Sequence, residues 1–255
     1  LMDGAPTRAV GSMLTARAHP FQRDARYNAE RAAESIGFHY GLQWPGRQVV
    51  SARGLRRVPM HDRLIAAGAV MAERIGWEVP AYFDASGAGW PTRASLGWQD
   101  WSPLVRTECL AARDAAVLID LSMYGKILVQ GPDAVKALNR VSGAQMDVAV
   151  GTSVYTQFLN EKGGIEADVT VTRTAAQGFL VVTGHPSQIR DQAHIRAHAH
   201  PDWRFEIFDA TASFALVSLH GPASRDILQS LSDDDLSNAA LPFGAAREID
   251  LGHAR

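Results

Sequence analysis

The sequence predicts an α+β fold with mostly antiparallel sheets, and three observations predict it. Two strand-like runs, 152–159 and 165–172, flank a turn-rich loop containing Gly163 and Gly164. A strand, a Gly-Pro pair and an apolar-periodic helix occur in that order twice. Nowhere do strands and helices alternate in the regular order of a doubly wound sheet.

The elements follow in chain order. Asn28 reads as the N-cap of a helix over 29–36, with Glu30 and Arg31 in its first turn and Gly37 ending it. Residues 39–45 are aromatic and end in Pro45, which bars a central strand, so an extended edge or loop is expected. From His61 to Gly76 the residues Leu64, Ile65, Gly68, Ala69, Met71, Ala72 and Ile75 recur near helical spacing, and Arg63, Glu73 and Arg74 supply a wet face. This pattern predicts one helix. Residues 84–103 interleave Gly87, Gly89, Pro91, Gly97 and Pro103 with Trp90, Trp98 and Trp101, the texture of an ordered connector anchored by indole rings. A helix over 104–116 follows, with Val105, Cys109 and Ala112 on one stripe and Cys109 expected to be buried. Strands are expected at 117–120 and 126–130.

The run from Ile127 through Gly131-Pro132 to Leu138 has an echo from Leu216 through Gly221-Pro222 to Leu228, about 90 residues on. Proline just past the turn suits the first helical position, where its fixed φ and missing N–H cost nothing. A duplicated β–α architecture is the reading, two coincidental turns the plain alternative. In the second hairpin strand Ile165, Ala167, Val169 and Val171 share one face, and Glu166, Asp168, Thr170 and Thr172 the other. Further strands are expected at 179–183 and 247–251. Leu1 is not Met, and neither end reads as a natural terminus, so the chain is expected to be an internal piece of a longer polypeptide.

Composition excludes several classes of function. The 255 residues carry 25 Lys+Arg against 27 Asp+Glu, so no basic footprint points to nucleic acid or an acidic membrane. The single cysteine, Cys109, can form neither an intrachain disulfide nor a metal knuckle, which fits a reducing, cytoplasmic setting. No run reaches the ~18 apolar residues of a membrane span. Gly87-Ala88-Gly89 lacks the third glycine and the strand–helix setting of a dinucleotide fingerprint, and no phosphate loop or Gly-x-Ser-x-Gly elbow is present.

Three constellations were weighed for chemistry. His194, His198 and His200 with Asp191 and Asp202 have spacing open to metal ligation, against a solvated helix end running into Pro201; the latter is preferred, and no metal is expected. Arg53, Arg56, Arg57 and Arg63 form a basic cluster suited to a carboxylate or phosphate, or to a structural network bridging domains, the preferred reading. Asp168 shares a strand face with Thr170 and Thr172 and follows a Gly-Gly turn. There, in a cleft lined by Tyr155, it would take up a proton or stabilise a cationic amine or iminium. The competing reading is an exposed polar sheet face, which pattern alone favours.

Asp120-Leu121-Ser122 followed by Gly125-Lys126, then Gly131-Pro132-Asp133-Ala134, Gly163-Gly164-Ile165-Glu166-Ala167-Asp168, and Gly221-Pro222 before a helix, resemble the folate-binding domain of glycine-cleavage T-protein, an aminomethyltransferase. The preceding segment, with Gly37-Phe38-His39-Tyr40, Trp44-Pro45, Ser51-Ala52-Arg53-Gly54, Gly76-Trp77-Glu78 and Tyr82-Phe83, is similar to the central domain of FAD-dependent dimethylglycine and sarcosine dehydrogenases. The resemblance implies a T-protein-like folate-binding domain over 104–255, a connector over 85–103, and over 1–84 the end of a flavin domain with the central oxidoreductase domain. It implies an enzyme: FAD in a domain outside this chain oxidises an N-methyl amine to an iminium, and this module holds tetrahydrofolate to capture the carbon as methylene-tetrahydrofolate. Asp168 matches the family's catalytic aspartate, and Met123 and Tyr155 match positions lining the folate site, with Thr170 and Thr172 beside them. The reaction calls for a pocket that keeps water from a hydrolysable intermediate. Partners implied are the small-molecule amine, folate and the protein's own flavin domain, with no nucleic acid and no membrane. The chain departs from the family at Ala167, where a second Asp is usual, and at Met123, where a His is usual; a Gly-Glu-x-Gly segment is expected beyond Arg255. The alternatives are a non-catalytic folate-binding regulatory or iron–sulfur-assembly protein, and a module kept only as packing for a flavin enzyme that uses no folate.

Overall fold

The computed structural model describes residues 20–41, 44, 47–89 and 95–252. The sequence features assigned to Leu1, Pro45, Trp90 and Pro91 lie outside the described residues. Two compact units part between Ser122 and Met123, and the first takes back Ala215–Ser224.

In the first unit, α1 (Ala25–Tyr40) starts at Asp24, whose carboxylate accepts the Tyr27 N–H at 2.7 Å. The cap thus lies four residues before Asn28, and the helix continues through Gly37. No residue of α1 is buried. Polar side chains tie it down instead: Glu34 accepts the N–H groups of Val50 and Ser51, and Arg31 donates to the Ser51 carbonyl. The single helix expected over 61–76 is replaced by α2 (His61–Ala66) and a strand. A three-stranded sheet runs in the order β1 (Arg56–Arg57), β3 (Trp77–Phe83), β2 (Ala69–Arg74). The reason lies in Ile75 and Gly76, both at positive φ (48° and 78°). Two such central residues make the tight turn whose twist matches a hairpin. Val70 and Ala72 are buried with period two, a pattern that a run of small apolar residues shares with a helix. The arginine cluster is structural where its contacts are described. Arg53 Nε donates to Glu78 Oε1 at 2.7 Å, Gly54 N–H donates to the same oxygen, and Arg56 lies 4.1 Å over the Trp77 ring.

Trp101 stacks on Tyr82 at 6.2 Å, as an anchoring connector residue should, whereas Trp98 is 85% exposed. Helix α3 (Ser102–Asp114) buries no residue fully, and Cys109 is exposed, contrary to expectation. The half-covered stripe runs through Leu104, Val105, Glu108, Ala111 and Ala112. Cys109 lies one residue, roughly 100°, round from Glu108. Strand β4 (Val117–Asp120) pairs antiparallel with a strand of the returning segment, Val217–His220.

The second unit is built on five antiparallel strands: β5 (Gly125–Gln130), β6 (Ser153–Leu159), β7 (Ile165–Ala175), β8 (Gly178–Thr183) and β9 (Glu206–Asp209), in the order β6-β7-β8-β5-β9. The α+β, mostly antiparallel expectation is met. One sheet face packs Ile127, Val129, Phe158, Val169, Val171, Phe179 and Val181 into a core with α4 (Ala134–Val141) and Ile195 of α5 (Gln188–His198). The two strand–Gly-Pro–helix units are present: β5 leads to α4, and β10 (Val217–His220) leads to α6 (Ser224–Gln229). At Gly131 φ is +134°, and an added Cβ would stand 2.6 Å from the Arg204 carbonyl oxygen. The pair therefore marks a place where the strand end meets another backbone too closely for a side chain. Residues 247–250 form no strand; Arg247 instead donates its guanidinium to the Asp235 carbonyl.

Candidate functional site

The β6–β7 hairpin positions the predicted site. Its loop is fixed by Asn160, whose side-chain oxygen accepts the N–H groups of Lys162 and Gly164 at 3.0 and 2.9 Å. This loop sets the register Gln157↔Asp168, Tyr155↔Thr170, Ser153↔Thr172. Because side chains alternate along a strand, Tyr155, Asp168, Thr170 and Thr172 emerge on the face opposite the core.

Tyr155 stands across from Thr170, and its ring reaches the diagonal neighbour: the phenol donates to Asp168 Oδ2 at 2.9 Å. The other Asp168 oxygen has no partner among the described residues. Thr172 Oγ1 and Ser153 Oγ share a hydrogen bond of 2.7 Å. The hydrogen bond to Asp168, with smaller contributions from lost solvation and the carboxylate's charge, holds the Tyr155 phenol above its ordinary value. Tyr155 is 67% exposed, Asp168 is exposed, and Thr170 and Thr172 are half-buried. The carboxylate is thus open among the described residues, where the sequence reading expected an enclosing pocket. Met123 is half-buried in the turn ahead of β5, and β8 lies between β5 and β7. Four of the five predicted residues therefore share one sheet face, while Met123 stands at the start of β5, two strands away from β7.

A buried polar cluster escaped the sequence reading. Asp191 is 1% exposed and accepts the Thr183 hydroxyl, and burial pushes its carboxyl up. Gln188 accepts from the Thr211 hydroxyl at 3.2 Å, and Thr211 Oγ1 accepts the Lys126 N–H. The inward stripe of α5 reads Gln188, Asp191, Gln192, Ile195, so it carries almost no hydrophobic signal. His194 is engaged with the Leu159 carbonyl and His198 with the His194 carbonyl. Among the described residues no three His, Cys, Asp or Glu side chains are grouped to hold a metal ion. A cavity of about 490 Å³ elsewhere in this unit, lined by Ser230, Ser232, Asp233, Asp234 and Asp250 among others, includes none of the predicted site residues. No helix among the described residues is long and apolar enough to cross a membrane.

Comparison with known proteins gives a consistent result. Residues 60–255 match the family described as the GCVT N-terminal domain. The chain is 34% identical over 251 residues to 4-methylaminobutanoate oxidase (formaldehyde-forming) of Paenarthrobacter nicotinovorans, covering 98% of this chain and 30% of that protein. It is 32% identical to the mitochondrial sarcosine dehydrogenase of Mus musculus, covering 95% of this chain and 31% of that protein. Glycine cleavage system aminomethyltransferase T from Bartonella henselae superposes with a TM-score of 0.58 at 25% identity, over 75% of this chain and 47% of that one. The chain spans about a third of the length of the oxidoreductases it matches.

Proposed function

We propose, for a chain that belongs to the GCVT N-terminal domain family, the role of the one-carbon-transfer module of an FAD-dependent oxidoreductase acting on an N-methyl amine of the sarcosine or dimethylglycine type. In this reading the flavin domain lies outside the chain, and the oxidised methyl carbon leaves as methylene-tetrahydrofolate. The observation that carries it is the Tyr155–Asp168 hydrogen bond on the exposed face of the hairpin.

The donor set suits a reduced pterin. An exposed aromatic ring offers a stacking surface, and the carboxylate beside it has one oxygen without a partner among the described residues and so available to an N–H. Tetrahydrofolate, when bound, supplies the nitrogen nucleophiles for the carbon. The chain's own contribution is to accept the proton those nitrogens shed. Asp168 takes it, Tyr155 holds Oδ2 so that the other oxygen faces the ligand, Thr170 and Thr172 add hydroxyls on the same face, and Met123 offers a polarizable thioether at the edge.

A second reading is favoured by one relative. The oxidase from Paenarthrobacter is named for forming formaldehyde, and a module of that kind leaves the carbon unattached to folate. Both readings meet in one experiment on the intact oxidoreductase with tetrahydrofolate present. Asp168→Ala is expected to leave amine oxidation standing while methylene-tetrahydrofolate formation falls by about 10²–10⁴-fold, the usual contribution of a positioned proton acceptor. Unchanged folate product removes Asp168 from the reaction, and formaldehyde as the sole product of the unaltered enzyme selects the second reading.

A further inference from the structure

Helix α5 grips the hairpin through one stripe, Arg190, His194 and His198, spaced four residues apart. Arg190 donates to the Glu166 carbonyl, two residues before Asp168 on β7. His194 Nε2 lies 3.1 Å from the Leu159 carbonyl at the end of β6, and its ring stacks on Phe158. His198 approaches Glu161 of the hairpin loop at 3.8 Å, and the two imidazole centroids are 4.3 Å apart. These contacts hold both strands of the hairpin against one helix, and two of the three gripping residues are histidines.

We propose that His194 and His198 are a proton-operated latch on the hairpin that carries Asp168, closed while the pair holds at most one proton and released when it holds two. The two rings lie 4.3 Å apart, so charges on both repel across the seam. His194 is partly buried and faces the His198 ring. Burial first, and the His198 charge second, hold the His194 imidazole below its ordinary value. Its folded form therefore favours the neutral ring, and the stabilisation it gives is present above the ordinary imidazole range and lost as pH falls through and below it.

Charged groups on several elements surround the pair. On α5 itself they are Arg190, Asp191, Arg196 and His198, and from the hairpin Glu161 and Glu166; the Leu159 hydrogen bond, Glu166 and Asp191 favour the proton on His194, and burial and the His198 charge outweigh them. Helix α4, packed on α5, brings buried Ala137, Leu138 and Val141, while its Lys136 and Arg140 are exposed. On β5, Ile127 and Val129 face the core with α5, so the Lys126 side chain starts from the opposite sheet face, and its backbone N–H reaches Thr211 beside Gln188. The regulatory meaning of the latch rests on the role proposed for Asp168, but the latch itself does not.

The test is amide hydrogen exchange across β6 and β7 in the intact protein, corrected for intrinsic rates, from about pH 8 down to about pH 5. Protection between Phe158 and Ala167 is expected to fall about tenfold or more over this range by local opening. His194→Gln keeps a donor toward Leu159 and is expected to flatten the profile. His198→Gln leaves a single imidazole in the pair, so the doubly charged state cannot form, and it is expected to flatten the profile as well. A flat profile in the unaltered chain, or a pH-dependent fall that survives either substitution, overturns the latch. Exchange reads the hairpin and product analysis reads Asp168, so failure of one is distinguishable from failure of the other.

Discussion

Replacing Gly131 by alanine tests whether the Gly-Pro pair is a structural joint or an ordinary turn. Its φ of +134° belongs to a region essentially reserved for glycine, at a cost of about 1–3 kcal/mol for another residue. The new Cβ would also meet the Arg204 oxygen at 2.6 Å and Phe205 Cα at 2.7 Å, both backbone atoms that yield only by moving a chain segment. Such overpacking adds about 1–3 kcal/mol, while the stiffer unfolded chain returns about 0.4–1 kcal/mol. The net expectation is about 1–5.5 kcal/mol, whose upper part is large for one methyl group. Gly163 is the internal control: its φ is +78° but nothing lies within 4 Å of an added Cβ, so Gly163→Ala should cost about 1 kcal/mol or less after the same entropic return. Urea unfolding of the two variants, read at the β5 and β8 amides, gives the comparison. If Gly131→Ala loses no more than Gly163→Ala, the close-approach account of the joint is wrong.

Two further outcomes follow from the electrostatics. The Tyr155 phenol should titrate above its ordinary value, and Asp168→Ala should bring it back down; an ultraviolet titration that shows the same midpoint in both chains removes the hydrogen bond seen here. Since that pKa is raised by folding, the pair stabilises the chain below the ordinary phenol range and ceases to do so as pH climbs through the folded value. At Glu78 burial pushes the carboxyl up, but the Arg53 and Gly54 hydrogen bonds and the Arg53 charge outweigh it and hold it below its ordinary value. Arg53→Met should therefore destabilise the first unit by about 1–3 kcal/mol at neutral pH. The difference should shrink as pH drops below the ordinary glutamate value of about 4.3, where the carboxylate's advantage is lost. A gap that is constant with pH in urea titrations would argue that Arg53 acts by packing alone.

The hairpin that carries Asp168 was legible because every level agreed: alternating faces, a loop with Asn160 and two glycines, and β-branched residues in both strands. The two Gly-Pro joints were legible for the same reason, since glycine and proline announce backbone geometry directly. The region 61–76 was not, because Leu64, Ala69, Met71 and Ala72 satisfy two periods at once, and the deciding residues are the turn pair Ile75 and Gly76. Asn28 was a sound cap by type, but Asp24 stands nearer the start of the helix and makes the bond. Small apolar residues recur around Cys109 and imitate a buried stripe, whereas α3 turns its half-covered face one residue away. At the site, the role expected of Asp168 came from the family resemblance, while its exposure could not be read from motifs, since the covering of a sheet face is decided by distant chain. The hydrogen bond from Tyr155 is a diagonal contact that depends on the register of the two strands.

The inward stripe of α5 has one further consequence. A helix seated by leucines can swivel or slip by a turn and still find grease to lie in, so its docking angle is only loosely dictated. With Gln188, Asp191 and Gln192 pointing inward, any wrong seating of α5 strands an amide or a carboxyl away from water, an error of about 1–3 kcal/mol per group. The molecule thereby trades some cohesive strength for a single allowed pose of the helix that braces the hairpin.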